Sequence, residues 1–167
     1  IDAAMTSDLL KIKNIRSKKK FTISLAESCT GGMISKYLTS INGSSLFFNG
    51  ACISYSNQMK IRLLKVPKNT IINYGAVSHQ TALAMVRGLK RITDSEILLS
   101  VTGVAGPSGG TARTPVGCVF FGIGSKINKK YIFKTTKKIF HKKTRLAIQK
   151  KSAEYAIYLI LKELKKI

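Results

Sequence analysis

The stretch of sequence that decides the fold is FTISLAESCTGG, which spans residues 21–32. Its first half, Phe21 to Ala26, alternates in polarity and is rich in β-forming residues, so it predicts a short strand. Beyond Gly32, apolar residues recur at helical spacing and predict a helix, namely Met33, Ile34, Tyr37, Leu38 and Ile41. A strand, a glycine-containing turn and a helix form a βα unit, which is typical of α/β proteins.

The rest of the chain repeats this alternation of helices and strands. Further helices are expected over residues 7–20 (capped by Ser7 or Asp8), 57–64, 78–93 (capped by Ser78) and 144–165. Further strands are expected over residues 46–56, 96–102, 116–124 and 130–140, the last two forming a hairpin, while residues 66–77 are expected to be a connection. This order predicts an α/β fold with a mixed sheet covered on both faces. Without an internal repeat or a linker, residues 1–167 are expected to form one domain.

The chain carries 29 Lys and Arg against seven Asp and Glu, a formal net charge of +22. Such a charge is typical of nucleic-acid binders, since Lys and Arg neutralise phosphates. Only six of these cations are Arg, the residue that base and bidentate phosphate contacts favour, and the lysines scatter along the chain. We therefore expect non-specific binding of polyanions at low salt, and keep nucleic-acid binding as the less favoured function.

The patterns of cysteine, histidine and hydropathy argue against a disulfide-rich, metal-binding, membrane-spanning or secreted protein. Three cysteines without C-x-x-C spacing, and two histidines, indicate neither a disulfide framework nor a metal site. No apolar run reaches the length of about 18 residues that a membrane span needs, and no secretory signal is visible in the first residues. The expectation is a cytoplasmic protein with no metal, no cofactor and no membrane contact.

Three predicted strand ends carry polar or glycine-rich residues, and strand ends are where open α/β sheets bind ligands. At the first, Ser28 precedes a helix whose N–H groups at Thr30–Gly32 could hold a phosphate or a developing oxyanion. A capping serine with a packing glycine pair is the structural alternative. Cys29 is a less favoured nucleophile, because no histidine partner is evident.

The second strand end is Tyr55-Ser56-Asn57, with Lys60 about one helical turn further on. A Tyr–Lys pair can relay a proton from a serine nucleophile when the lysine is desolvated. In a chain so rich in lysine, only the pairing with Ser28 and Tyr55 distinguishes Lys60. The third strand end is followed by the loop 102–110, which contains four glycines and one proline. Such a loop either lets the backbone approach a ligand closely or is a plain mobile turn.

Five segments together resemble the C-terminal domain of the CinA family, whose stand-alone members are nicotinamide-nucleotide amidases. The segments are Ala26–Gly32, Tyr55–Asn57 with Lys60, Gly75–Ser78, Thr102–Gly110 and Pro115–Gly117, in the family's order and spacing. The resemblance covers residues 20–160. It implies a three-layer α/β/α sandwich with a mixed, mostly parallel five-stranded sheet. It also implies metal-free hydrolysis of nicotinamide mononucleotide to nicotinate mononucleotide and ammonia, and we expect a homo-oligomer.

On this resemblance we predict acyl transfer with Ser28 as nucleophile and Lys60, linked through Tyr55, as base. Backbone N–H groups of Thr30, Gly31 and Gly32 are expected to stabilise the oxyanion. The substrate phosphate is then expected at the third strand end with Arg145 or a lysine, on a surface that includes Thr102, Gly103 and Gly106. For Lys60 to act as a base, Glu27 is expected to point away from it, toward backbone N–H groups or a basic residue.

One segment departs from the family. A Phe-x-Gly-x-Arg run with a second Arg four residues on is common before the last helix, whereas residues 140–145 here read FHKKTR and Gln149 stands four residues beyond Arg145. This departure leaves open a second hypothesis, a nucleotide-binding module that has lost turnover. A basic polyanion binder is the third.

Overall fold

The computed structural model describes residues 2–167, and these residues contain one five-stranded sheet. Its strands are β1 (Ile23–Glu27), β2 (Phe48–Ile53), β3 (Ile97–Gly103), β4 (Cys118–Ile127) and β5 (Lys130–Ile139), in the order β2-β1-β3-β4-β5. Strands β2, β1 and β3 are parallel, and β4 is antiparallel to both of its neighbours. Four of the five strands therefore run in one direction, which confirms the mixed, mostly parallel sheet.

Helices cover both faces of this sheet and confirm the three-layer α/β/α architecture. They are α1 (Ala3–Lys18), α2 (Met33–Leu38), α3 (Asn57–Leu64), α4 (Lys68–Tyr74), α5 (His79–Lys90) and α6 (Arg145–Leu164), with a short 3-10 turn at Ser44–Leu46. Helices α1, α2 and α6 share the larger apolar core with one face of the sheet. Helices α3, α4 and α5 pack on the other face. The central strands β1 and β3 are buried on both faces, which the apolar run of β3 predicts but the alternating sequence of β1 does not.

Two differences from the sequence-based expectation have local causes. Helix α1 begins at Ala3 and not near Ser7, because the Asp2 carboxylate accepts a hydrogen bond of 2.8 Å from the N–H of Met5 and so caps the helix. Helix α4 lies in the stretch that was expected to be a connection. None of its residues is buried, so it leaves no apolar periodicity in the sequence.

Helix α3 is held against α5 by a backbone contact. A Cβ atom added at Gly88 of α5 would collide with the carbonyl oxygen of Leu64, the last residue of α3. Only glycine lets two helices approach this closely without displacing one of them. This contact fixes the position of α3, and α3 carries Lys60.

Candidate active site

Ser28 and Lys60 meet at the carboxyl end of the sheet. Ser28 follows β1 directly, and its N–H donates to the carbonyl of Val101 in β3 (3.1 Å). The Nζ atom of Lys60 lies 2.9 Å from Ser28 Oγ and donates to the carbonyl of Tyr55 at 2.8 Å. Because a hydroxyl hydrogen rotates freely about its C–O bond, Ser28 can present its proton to Nζ in this arrangement.

Lys60 is buried and has no acidic partner. Its side chain is 2% exposed, and no carboxylate in residues 2–167 lies within 4.0 Å of its nitrogen. Burial disfavours the ammonium form, so it lowers the pKa of Lys60 from 10.5 to about 8. A lysine in this state is partly neutral near physiological pH and can accept a proton.

Tyr55 contributes a different atom from the one expected. Its backbone carbonyl accepts hydrogen bonds from both Lys60 Nζ and Ser28 Oγ, the latter at 3.3 Å, and thereby orients both groups. Its hydroxyl lies elsewhere, where it accepts a hydrogen bond of 2.9 Å from Nη2 of Arg145. Lys60 contacts Ser28 directly, so the link through Tyr55 that the sequence predicts consists of its carbonyl and not of its hydroxyl.

The orientation expected for Glu27 is confirmed. Its fully buried carboxylate accepts hydrogen bonds of 2.6–3.2 Å from the turn after Ser28 and from the start of α2, where the donors are the hydroxyls of Thr30 and Ser35 and the N–H groups of Gly32, Ile34 and Ser35. These donors spread the negative charge over the start of α2, away from Lys60. Glu27 thus occupies the helix end that an anionic substrate would otherwise use.

Hydrogen bonds in the same turn engage two of the three expected oxyanion donors. The N–H of Gly31 donates to the carbonyl of Ser28 at 3.0 Å, and the N–H of Gly32 donates to Glu27. The Thr30 hydroxyl also donates to Glu27, and none of these three residues lines the cavity beside Ser28. The N–H groups of Gly31 and Gly32 are therefore engaged within the turn, and the assignment of Thr30, Gly31 and Gly32 to substrate binding stays a prediction.

Cys29 is buried beside Ser28, and its thiol is poorly suited to nucleophilic attack. Burial raises the pKa of Cys29 from 9.0 to about 12, so almost no thiolate forms near neutral pH. The carbonyl of Cys29 accepts a hydrogen bond of 3.0 Å from Nε2 of Gln149 in α6. This anchor was not predicted, since the sequence showed Gln149 only as a departure from an arginine.

A cavity of about 300 Å³ opens in front of Ser28 and Lys60. The residues Thr102, Gly103, Gly106 and Arg145 line it, where the sequence placed a substrate surface; Asn57, Ala76, Val77, Ser108 and Gly109 also line it. Arg145 bridges two of its walls, because Nη1 donates to the carbonyl of Gly106 at 2.8 Å while Nη2 reaches Tyr55. The altered segment before α6 therefore still delivers an arginine to the cavity.

Residues 2–167 include no helix that combines the length and the apolar character needed to cross a membrane. Within the same residues, no three His, Cys, Asp or Glu side chains are grouped as a metal ion would require.

Comparison with known proteins identifies the family. The sequence-family model of the CinA C-terminal domain matches residues 7–164 of this chain. The chain is 49% identical over 112 residues to a CinA-like protein of Dictyoglomus thermophilum, covering 67% of this chain and 27% of the relative. It is 41% identical over 145 residues to a CinA-like protein of Pseudothermotoga lettingae, covering 87% of this chain and 34% of the relative. The chain thus spans about a quarter to a third of the length of these curated relatives.

A solved structure agrees with this match over the whole fold. The competence/damage inducible protein CihA from Agrobacterium tumefaciens superposes with a TM-score of 0.91 at 30% sequence identity, covering 99% of this chain and 98% of that one. Because the family model matches nearly all of the sequence and the fold is the same, the chain belongs to the CinA C-terminal domain family.

Proposed function

We propose that this chain hydrolyses the carboxamide of nicotinamide mononucleotide, releasing nicotinate mononucleotide and ammonia. The observation that carries the proposal is the 2.9 Å contact between Ser28 Oγ and a buried Lys60 whose pKa lies near 8. A serine paired with a lysine that can be neutral is an activated nucleophile, which amide hydrolysis requires. Membership of the CinA C-terminal domain family supports the same chemistry.

In the proposed reaction, Ser28 Oγ attacks the carboxamide carbon while its proton passes to Lys60 Nζ. The pyridinium ring withdraws electrons and makes this carbon more electrophilic. Lys60 then returns the proton to the departing nitrogen, so that ammonia leaves and an ester remains on Ser28. Water hydrolyses this ester with Lys60 again acting as the base, which releases the carboxylate product and restores the Ser28 hydroxyl.

Lys60 also supplies charge stabilisation at the moment when it is needed. Once it has taken the serine proton it is an ammonium in a buried position, beside the atom that bonds to the tetrahedral carbon. A cation in such a low-dielectric site stabilises the neighbouring oxyanion more strongly than it would in water. One side chain therefore serves as base, acid and electrostatic partner in this proposal.

We assign the substrate phosphate to Arg145 and the glycine-containing loop at Thr102–Gly110. The start of α2 is already occupied by Glu27, so it offers no site for a second anion. Arg145 lines the cavity and presents a planar guanidinium, which suits phosphate oxygens. Its contacts to Gly106 and Tyr55 hold this guanidinium in place.

The test is ammonia release from nicotinamide mononucleotide by the purified chain, with the nicotinate product identified by mass. We expect turnover, and we expect nicotinamide riboside, which lacks the phosphate, to be hydrolysed far less efficiently, mainly through a higher KM. A wild-type chain that binds the mononucleotide without releasing ammonia would instead establish the binding module. The replacement of an arginine by Gln149 is the observation that favours that second function.

A further inference from the structure

A second cavity, of about 410 Å³, opens between α4, the start of α5, strand β5 and the loop that joins β3 to β4. Cavities that hold small molecules are typically about 300–1,000 Å³, so this one is large enough for such a ligand. The proposed amidase reaction does not use it. Its lining consists of Asn73, Tyr74, Val77, Ser78, His79, Gln80, Arg113, Thr114, Phe120 and Lys137.

Three basic side chains reach this second cavity from three different parts of the fold. They are His79 at the start of α5, Arg113 in the loop and Lys137 on β5. No Asp or Glu lines the cavity, and neither Arg113 nor Lys137 forms an ion pair within residues 2–167. The basic composition of the chain does not by itself explain this, because the cavity that contains Lys20 also contains two carboxylates. The second cavity therefore suits an anion.

Aromatic rings make up another part of the lining. The ring of Phe120 is 5% exposed and packs against two of the basic groups, with His79 at 4.7 Å between ring centroids and Lys137 Nζ at 5.7 Å from its centroid. A hydrogen bond of 2.8 Å between His79 Nδ1 and Thr135 Oγ1 also fixes the imidazole. Tyr74, by contrast, is 55% exposed and contacts no other ring and no cation within the described residues. Its face is therefore available to stack on a planar group.

We propose that the second cavity binds a nucleoside monophosphate, with the phosphate on Arg113 and Lys137 and the base against Tyr74. A phosphate monoester carries roughly two negative charges near neutral pH, which one arginine and one lysine balance. The planar base is the part of the ligand that an exposed aromatic ring suits. The inference does not depend on the proposed amidase activity, since these three residues belong neither to the Ser–Lys pair nor to the cavity in front of it.

The second cavity shares its walls with the candidate active site. Val77 lines both cavities, and the loop between β3 and β4 contributes Arg113 to the second cavity and Gly106 to the first. The hydroxyl of Thr102 donates to the carbonyl of Ala76 at 2.8 Å and so joins the end of β3 to the turn before α5. A nucleotide in the second cavity would therefore contact the same segments that form the candidate active site, without entering it.

The test measures the binding of adenosine 5′-monophosphate at physiological ionic strength by isothermal titration calorimetry. Lys137→Gln and Lys138→Gln form a matched pair, because each removes one charge from β5. Lys137 lies over Phe120 on the α5 side of the sheet, whereas Lys138 lies over Tyr155 on the α6 side. We expect Lys137→Gln and Arg113→Gln to weaken binding by at least about tenfold and Lys138→Gln to bind like the wild type, with melting temperatures measured to verify folding.

A second set of measurements separates the parts of the ligand and needs no variant for its first arm. Adenosine and inorganic phosphate should each bind the wild type far more weakly than adenosine 5′-monophosphate, because each makes only one of the two contacts. Tyr74→Ala should weaken binding of the monophosphate and Tyr74→Phe should retain it, since both tyrosine and phenylalanine present a ring. Arg145→Gln, which changes only the candidate active site, should leave this binding unchanged.

Four results would each overturn the proposal. The first is a wild-type chain that does not bind adenosine 5′-monophosphate. The second is an equal loss of binding in Lys137→Gln and Lys138→Gln, which would mean that binding follows net charge alone. The third is loss of binding in Arg145→Gln, which would place the nucleotide in the candidate active site. The fourth is inorganic phosphate binding as tightly as the monophosphate, which would leave no contact for the base.

Discussion

The Nζ atom of Lys60 lies 2.9 Å from Oγ of Ser28, and both groups share the carbonyl oxygen of Tyr55 as an acceptor. The proposed nucleophile and its proposed base are thus oriented by one backbone atom, without a third side chain. In this arrangement the proton of Ser28 can pass directly to Lys60, without an intervening group.

Replacing Ser28 with Ala should abolish amidase activity while the chain folds normally. The change is small and removes the attacking oxygen, so we expect kcat to fall by at least about a hundredfold with an unchanged melting temperature. Cys29→Ala is the control and should retain activity, because the thiol at position 29 is protonated at working pH. A Ser28→Ala enzyme with more than about a tenth of wild-type kcat would assign the attack to water or to Cys29.

Activity should rise with pH through the pKa of Lys60. The base must be neutral, and the neutral fraction grows as pH passes about 8, because burial has lowered the pKa from 10.5. We therefore expect kcat/KM to increase about tenfold per pH unit below this value and to level off above it. A kcat/KM that is flat between pH 6 and about 9 would contradict a lysine base.

The charge of Lys60 can be separated from its basicity by two substitutions. Lys60→Arg keeps a cation but cannot accept a proton at working pH, so it should lose nearly as much kcat as Lys60→Met. Lys60→Met should melt no lower than the wild type, because it removes the cost of burying an ammonium. If Lys60→Arg stays active, Lys60 contributes only positive charge and the base is a different group.

Glu27→Gln should impair catalysis by moving the turn that carries Ser28. One oxygen of Glu27 accepts from both the N–H and the hydroxyl of Ser35, at 2.9 and 2.6 Å. An amide NH₂ in that place directs hydrogens at a donor, so we expect the start of α2 to shift and kcat to fall by roughly ten- to a hundredfold. Ser35→Ala, which removes only the hydroxyl contact, should lose much less.

The pH profile of Glu27→Gln distinguishes positioning from charge. If Glu27 acts only by holding the turn, the rise in kcat/KM should stay near pH 8 while its plateau falls. A rise displaced toward lower pH would mean that the Glu27 carboxylate stabilises the Lys60 ammonium in the wild type.

Binding of nucleic acid should depend on salt far more than catalysis does. Five cation–aromatic contacts cluster on β4, β5 and the neighbouring helices, but lysine or arginine already covers those rings, so they are not free to stack on bases. Retention on DNA at low salt should therefore vanish at physiological ionic strength, as measured by fluorescence anisotropy. Persistent sequence-selective binding would make nucleic acid the main partner.

The sequence was sufficient to predict the sheet and the meeting of Ser28 with Lys60. Both follow from local patterns, because a buried strand ends before Ser28 and a capped helix begins at Asn57, one turn before Lys60. The carboxyl ends of parallel strands must lie along one edge of the sheet, which brings the two residues together.

The atoms that each residue presents could not be predicted in the same way. The sequence places Tyr55 at a strand end but does not reveal that its carbonyl, and not its hydroxyl, contacts Lys60. The sequence also could not show that the N–H groups of Gly31 and Gly32 are already hydrogen-bonded, to the Ser28 carbonyl and the Glu27 carboxylate respectively. Glu27 is a strand residue, and nothing in the sequence indicates that its side chain caps the helix that follows.

The close approach of Gly88 to Leu64 means that the chemistry of this cavity is sensitive to a residue that does not line it. Any side chain at position 88 would push α3 outward from its carboxyl end, and Lys60 would move with it, away from Ser28. During divergence, a chain can therefore retain every cavity residue and still lose its base through a single methyl group on another helix.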